Sequence, residues 1–377
     1  MNIHVDKESL LKSITIADSI ISTKNINTIL SNCCFNISKN SIEITSTDNE
    51  IAIRTQIRSN ADSKISFASN GKKFANILKE LPNDEILLTV NESYLIDIAS
   101  QSKNIKGHYT LFGLAANEFP EIPQFINDNV IEIDQAVLKE MIRKVIYAAS
   151  NDTIKPVFNG IFVTSDMKEH ISFVATDSRR LSLITKSIPH NTTSGDGFII
   201  PLKTIHELYR LLESSGPCTF SFNNNQCFFK VSETEIISRI VDGQFPNYRQ
   251  VVPKEYLFEI EVETKKFLDS IRRAMIFTRE PANKIILNIQ NKAIIIEANT
   301  PELGSAEEEI PVKTNKDENI SIGINGQFLI DSLKEMNSEY VKCGITGQMS
   351  PLTIMQPDDS NYLSIIMPIQ IKSSHND

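Results

Sequence analysis

The chain lacks the residues and spacings on which most enzymes and metalloproteins depend. It contains no P-loop, no GxGxxG and no GxSxG, so no phosphate cradle, dinucleotide turn or nucleophile elbow is expected. Six histidines (His4, His108, His170, His190, His206, His375) make no HxxxH or other ligand spacing. Five cysteines (Cys33, Cys34, Cys218, Cys227, Cys343) are odd in number and scattered without a CxxC pair, which suits buried reduced thiols better than disulfides or zinc. No apolar run approaches the ~20 residues of a membrane span. The opening Met1-Asn2-Ile3-His4-Val5-Asp6 lacks the basic-then-apolar pattern of a signal peptide. The expectation is a soluble cytoplasmic protein with no cofactor, no metal and no membrane partner. Positive charge is also short: 38 Lys and Arg against 47 Asp and Glu give a net −9, the opposite of a simple nucleic-acid binder.

What is present is internal repetition. With 377 residues, 41% of them hydrophobic, length suggests two or three domains at about 100–200 residues each. Ile3-His4-Val5-Asp6 recurs as Ile131-Glu132-Ile133-Asp134 and as Ile260-Glu261-Val262-Glu263, at spacings of 128 and 129. Each copy reads as a short alternating strand running into an acid at a helix start. Leu10, Ile14 and Ala17 then correspond to Leu138, Ile142 and Val145, and to Phe267, Ile271 and Ala274. Those intervals of four and three put one apolar stripe on a helix. Ile42–Asp48 matches Ile171–Asp177, with Ile294–Thr300 as a looser third copy. A second helical pattern recurs as Phe74, Ile77, Leu78 and Leu81, as Ile205, Leu208, Tyr209 and Leu212, and over Leu329–Met336. The chain reads as three copies of one α+β domain, over 1–126, 127–254 and 255–377. No long Gly/Ser linker separates them, so the domains are expected to pack edge to edge.

Asp48 and Asp177 could be taken for paired catalytic acids, but Thr300 stands in the third copy and all three follow strands as turn residues do. Catalysis is not expected. The six helices expected over 6–21, 70–81, 134–149, 201–213, 263–279 and 326–337 carry 16 basic and 12 acidic residues, so +4 sits on helices and −13 elsewhere. This segregation fits helices that face a polyanion behind an acidic outer shell; it also fits Lys and Arg used as ordinary helix formers on solvated faces.

Several segments resemble one family. Ala175-Thr176-Asp177-Ser178-Arg179-Arg180-Leu181 resembles the ATD-x-x-RL signature of the bacterial DNA polymerase III β sliding clamps, and Val241-Asp242-Gly243-Gln244-Phe245-Pro246-Asn247-Tyr248 resembles their DGxFPDY segment. Arg273–Phe277, the acidic stretch Glu297–Glu309 and the ending Ile365-Ile366-Met367-Pro368-Ile369 fit as well, as do Asn27–Asn32 and Ser46–Ile51 in the first copy. The resemblance runs through essentially the whole chain. It implies three tandem DNA-clamp domains, each with two helices inside and antiparallel sheets outside, closed by head-to-tail dimerisation into a ring. Twelve helices about 10 Å apart give a circumference of ~120 Å and a hole of about 28 Å, against roughly 20 Å for B-DNA. Six helices would leave about 9 Å, so a single chain cannot enclose a duplex.

The implied partners are a second copy, double-stranded DNA without sequence preference, the DNA polymerase III catalytic subunit, a clamp loader and other proteins with a clamp-binding motif. Lys24 occupies the position of a DNA-facing arginine, with Lys12, Lys72, Lys139, Arg143, Lys203, Arg210 and Arg272 as further pore candidates. The resemblance places a pocket for partner peptides at Phe158, Thr176, Arg180, Leu181, Pro246, Val251, Asn325, Phe328, Ile365, Met367, Pro368 and Ile369. A flexible methionine among branched aliphatics suits varied peptides. Gln370 departs from the family's arginine after the MPM segment. The ring seam would set Tyr109 and Leu111 against Ile276 and Phe277, with Lys72, Lys73 and Lys106 facing Glu302, Glu307, Glu308 and Glu309. A monomeric repeat scaffold that binds proteins and never DNA is the competing reading.

Overall fold

The computed structural model describes residues 1–21, 28–82, 85–101, 107–126, 130–152, 154–166, 169–189, 197–290, 292–316 and 318–371. The expected strand-then-helix starts are present. α1 (Lys7–Asp18), α3 (Gln135–Ile146) and α5 (Thr264–Ala274) each follow a short strand, and α2 (Gly71–Glu80), α4 (Leu202–Leu211) and α6 (Gly326–Lys334) are the second helices of the three repeats. Each is shorter than its apolar pattern. Asp6 stays outside α1 in extended backbone and its carboxylate accepts the Ser9 N–H at 2.8 Å, satisfying a donor that the first turn leaves orphaned. Asn70 and Asn325 cap α2 and α6 in the same way. At the other end, α5 tightens into a 3₁₀ turn over Met275–Phe277, so the stripe continues past the last α-helical bond.

Each repeat divides eight principal strands into the same two sets; in the first repeat the sets also join, Phe67–Ser69 pairing with Gly113–Ala115. Three form an antiparallel meander, and the strand leading into the second helix pairs with the first of them. These are Cys33–Ile37, Ser41–Thr47 and Ile51–Arg58 flanked by Ile65–Ser69. In the second repeat they are Gly160–Asp166, His170–Thr176 and Arg180–Ser187 flanked by Phe198–Pro201. The third has Lys284–Gln290, Ala293–Thr300 and Gly304–Pro311 flanked by Ile320–Asn325. The other four strands form a second antiparallel set: Asn2–Asp6, Glu85–Val90, Leu95–Ser100 and His108–Ala115 in the first repeat. The matching sets are Ile131–Asp134, Pro217–Phe222, Gln226–Val231 and Thr234–Arg239, and Phe258–Glu263, Tyr340–Ile345, Leu352–Gln356 and Asp359–Ile366.

Two compact units result, and they do not follow the repeats. The first, Met1–Leu138 with Lys203–Ile240, holds a thirteen-stranded sheet in which Thr234–Arg239 of the second repeat pairs with Ile51–Arg58 of the first. The second, Lys139–Pro189 with Thr193–Leu202 and Val241–Asp377, holds a nine-stranded sheet in which Asp359–Ile366 pairs with Arg180–Ser187, and a separate four-stranded sheet. In the first unit α1 and α2 pack together over a core that includes Phe35, Phe67, Phe74 and Leu78. Phe35 is 1% exposed, stacks on Phe67 at 5.1 Å between centroids and meets Phe74 at 5.5 Å.

The repeat extends to single hydrogen bonds. After Ser41–Thr47 the Asp48 carboxylate accepts the N–H groups of Glu50 and Ile51, both at 2.9 Å, while the Thr47 hydroxyl donates to the Ile51 carbonyl. After His170–Thr176, Asp177 accepts from Arg179 and Arg180, both at 2.9 Å, and Thr176 donates to the Arg180 carbonyl. Asn49 and Ser178, central in these turns, share a φ of 76°. The acids serve the turn, as their position after a strand suggests. In the third copy the Thr300 hydroxyl reaches the Phe277 carbonyl instead, and Gly304 takes the left-handed backbone.

Phe35→Ala should cost about 3–5 kcal/mol of stability, because it opens a cavity among three rings that cannot collapse; urea denaturation showing a loss under ~1 kcal/mol would contradict this packing. Asp48 offers a second check. Burial alone would raise its pKa, but the Lys203 ammonium and the Ile51 and Glu50 N–H groups outweigh it and hold the carboxyl below its ordinary value. A depressed folded pKa contributes stability that is present above the unfolded carboxylate value and lost as pH falls through the folded one. Lys203→Met should therefore move the Asp48 midpoint upward and bring acid destabilisation in at higher pH. A carboxyl-carbon NMR titration with an unmoved midpoint would count against the pair.

Candidate functional site

The segments singled out in the sequence meet in the second unit. The turn Asp177–Arg179 joins two strands, and the second of them aligns Arg180 with Ile366 and Leu181 with Ile365. The pairing continues past the strand end, where the Met367 N–H donates to the Arg179 carbonyl at 2.8 Å. Over this corner lies Val241–Val252. Phe245 stacks on Phe162 with centroids 4.6 Å apart and planes 5° from parallel, and Tyr248 meets both rings edge-on. Together they leave an open apolar cleft of about 190 Å³.

Eight of the twelve pocket candidates line it: Phe158, Thr176, Arg180, Leu181, Pro246, Val251, Ile365 and Met367. Val251 and Met367 remain 38% exposed, so the mouth presents apolar surface to solvent. Asn325 is buried and caps α6. Ile369 donates its N–H to the Gly323 carbonyl at 2.8 Å, extending the strand that precedes α6. Phe328 lies behind the cleft with the Arg180 guanidinium 4.4 Å over its ring. Pro368 and Ile369 are not among the lining residues. Three lining residues were not named from sequence: Ser178, Phe245 and Tyr248. All three sit inside the two motifs, which were the available signal.

Arg180 settles the polarity of the cleft. Its Nε reaches Asp177 at 3.0 Å and an Nη reaches Asp331 at 2.7 Å, while Gln327 steadies the other Asp331 oxygen at 2.8 Å. The guanidinium also faces the rings of Phe328 and Tyr147. A charge paired in this way presents little free positive potential, and the surface that remains is aliphatic and aromatic.

The basic candidates divide by their neighbours. Lys24 and Lys106 lie outside the described residues. Lys12 is largely exposed, 4.0 Å from Glu213, and Lys72 and Lys73 are exposed on α2. Lys139 is half-buried. Arg143 is paired with Glu335, Lys203 with Asp48, Arg210 with Glu207 and Arg272 with Asp269. Pairing reduces the positive potential of these helices without reversing it.

The seam candidates sit on two strands: Gly304–Pro311 ends its sheet with a free edge, and His108–Ala115 pairs with Leu95–Ser100 and, over Gly113–Ala115, with Phe67–Ser69. On His108–Ala115, Tyr109 is 40% exposed and Leu111 half-buried, and Phe112, which the sequence reading omitted, is 82% exposed. Gly304–Pro311 pairs on one side only and carries Glu307, Glu308 and Glu309. Ile276 beside it is 70% exposed, and Phe277 is half-buried. Arg273 grips Glu308 through two bonds of 2.6 Å and holds its carboxyl low, while Glu302 pairs with Arg279. The five cysteines are free and buried. Burial pushes Cys34, Cys218, Cys227 and Cys343 up to about 12 and Cys33 well above its ordinary value, so they stay protonated at neutral pH. Among the described residues no group of His, Cys, Asp and Glu could hold a metal ion, and no helix is long and apolar enough to cross a membrane.

Comparison with known proteins agrees along the whole chain. Models of the DNA polymerase III beta subunit match in three consecutive stretches: the N-terminal domain over residues 1–123, the central domain over 132–247 and the C-terminal domain over 249–370. A beta sliding clamp from Halalkalibacterium halodurans is 28% identical over 98% of this chain and 100% of its own, and one from Bacillus subtilis is 27% identical over the same shares. Among solved structures, the DNA polymerase III subunit beta of Pseudomonas aeruginosa superposes with a TM-score of 0.93 at 25% identity, covering 98% of this chain and 100% of that one. The Bacillus subtilis DNA polymerase sliding clamp gives 0.92 at 26% identity, covering 98% and 99%. With all three domain models matched in order along its length, the chain belongs to the DNA polymerase III beta subunit family, the beta sliding clamps.

Proposed function

We propose that two copies of this chain close head to tail into a ring around duplex DNA, and that the ring tethers the replicative polymerase without catalysing any step itself. The observation that carries this reading is the way the repeats join. The last strand of the second repeat pairs with the third meander strand of the first, and the last strand of the third repeat with the third meander strand of the second. A third joint of the same kind needs His108–Ala115, the last strand of the first repeat, against Gly304–Pro311, the third meander strand of the third. A partner copy supplies that pairing twice, once at each seam, and the free edge of Gly304–Pro311 invites it. The apolar groups at these edges, Tyr109, Leu111 and Phe112 against Ile276 and Phe277, carry the seam. Lys72, Lys73 and Lys106 against Glu302, Glu307, Glu308 and Glu309 contribute roughly 0–1 kcal/mol per exposed pair.

On this reading the domains run 1–126, 127–254 and 255–377, the protein works in the cytoplasm, and the helices line the opening. Lys12, Lys24, Lys72, Lys139, Arg143, Lys203, Arg210 and Arg272 then meet the phosphates. The cleft floored by Leu181 and Ile365 takes a short extended peptide from the polymerase catalytic subunit, the clamp loader or other replication and repair proteins. Phe328, Asn325, Pro368 and Ile369 support its walls.

Supplied with a clamp loader, the protein should be retained on nicked circular DNA and lost when the circle is linearised. Equal retention on linear DNA would mean ordinary electrostatic binding. In sedimentation it should run as a dimer at micromolar concentration, whereas the scaffold alternative predicts a monomer. Met367→Ala with Pro368→Ala should abolish binding of a polymerase clamp-binding peptide and leave the dimer intact; unchanged peptide affinity in fluorescence polarisation would remove the pocket assignment.

A further inference from the structure

The rule that joins the repeats builds the same corner twice. In the first unit Ala52 pairs opposite Ile237, as Leu181 pairs opposite Ile365 in the second. The Arg239 N–H donates to the Glu50 carbonyl at 2.9 Å, as Met367 donates to Arg179 at 2.8 Å. The segment that crosses the corner repeats as well: Phe119-Pro120-Glu121-Ile122-Pro123-Gln124-Phe125-Ile126 matches Phe245-Pro246-Asn247-Tyr248-Arg249-Gln250-Val251-Val252. Between turn and crossing segment lies a cleft of about 300 Å³, lined by Thr47, Asn49, Ala52, Pro120, Ile122 and Ile237. Position by position these are the counterparts of residues lining the cleft already described.

Its wall is held in place. Arg54 is only 8% exposed, and one Nη donates to the carbonyls of Ile122 and Pro123 at 3.0 and 3.3 Å. Its other Nη pairs with Glu235 at 3.0 Å. Beneath, Phe125 meets the buried Phe228 edge-on at 6.2 Å between centroids, beside Ala52 and Ile237. The crossing segment is thereby pinned at both backbone and side chain, and a cleft so fixed needs little ordering on binding.

The rims differ in charge. Glu50 stands where the other cleft has Arg179, Glu121 replaces Asn247, Pro123 replaces Arg249, and Arg239 replaces Met367. Across these four positions, two arginines and no acid in the first cleft give way to two glutamates and one arginine here. Glu50 and Glu121 are exposed, and neither has an ion-pair partner among the described residues.

We propose that this cleft is a second docking site, which takes an extended peptide of a partner protein carrying a basic side chain beside aliphatic ones. The inference rests on the reading of the first cleft as a peptide site, since the shared backbone frame argues for a shared class of ligand. Charge complementarity then selects the sequence.

The test uses the full-length dimer with labelled Ile and Met methyl groups. It is titrated separately with acetyl-Ala-Leu-Arg-Leu-Ala-amide and the same peptide with Glu in place of Arg. The arginine peptide should shift the methyl signals of Ile51, Ile122 and Ile237 and bind more tightly than the glutamate peptide. Glu50→Gln with Glu121→Gln should weaken it by about tenfold, the combined scale of two rim charges. Unmoved Ile51, Ile122 and Ile237 methyls, or equal affinity for the two peptides, would overturn the proposal. Failure of the underlying reading looks different: a polymerase peptide would leave Ile365 and Met367 unmoved, whatever happens at the second cleft.

Discussion

A β-strand cannot leave both edges unpaired in water without inviting association, and this constraint organises the whole chain. Each repeat ends in a strand whose outer edge has no partner within its own four-stranded set, and each carries a third meander strand with the same deficit. Joining the two kinds of edge satisfies the backbone groups of both. It also fuses adjacent repeats into continuous sheets, which is why the compact units cut across the second repeat instead of following it. Three repeats in one chain make two such joints and leave a third unmade: Gly304–Pro311 keeps a free edge, and His108–Ala115, the last strand of the first repeat, pairs only within that repeat. Ring closure by a second copy is the arrangement that completes the series, because a heterologous contact either closes or polymerises.

Enclosure changes what the charges have to do. A protein held on DNA by contacts must neutralise several phosphates, and it then releases and rebinds as salt and sequence dictate. A closed ring cannot leave however weak each contact is, so the positive residues need only keep the duplex centred. The helices proposed to line the opening carry charge on that lower scale: +4 over six expected helices, with Arg143, Lys203, Arg210 and Arg272 already shared with carboxylates. The acidic surplus on the remaining elements costs nothing under this scheme. An overall −9, which read as an argument against DNA, becomes compatible with it once charge and topology are considered together.

The repeat was legible because periodicity survives divergence. Leu10, Ile14 and Ala17 must face a core whatever their neighbours are, and so must their counterparts in the other repeats. Asp48 and Asp177 were legible as turn residues for the same reason. Strand partnership was not legible. Alternation in Thr234–Arg239 shows which face is buried but carries no record of which edge Ile51–Arg58 will meet. Helix ends were overestimated because Met275–Phe277 continues the apolar stripe in 3₁₀ geometry. Phe112 escaped notice because an aromatic in an alternating strand reads as core, and only the structure reveals that its side of the sheet is uncovered. Of the apolar cleft, the motif residues were visible, but the partnering of Arg180 with two aspartates was not. Asp331 is 151 positions away in sequence.

Repetition also explains how one chain can hold two related clefts with different rims. The backbone frame of each corner is fixed by the strand joint, since the hydrogen bonds from Arg239 to Glu50 and from Met367 to Arg179 are the last rungs of equivalent ladders. Rim side chains project from that frame without supporting it. Arg179, Asn247 and Arg249 can therefore become Glu50, Glu121 and Pro123 with little effect on the fold, whereas Ala52, Leu181, Ile237 and Ile365, buried at the joint itself, are tied to packing. Selectivity is free to drift where stability is indifferent, and a duplicated corner gives it two places to do so.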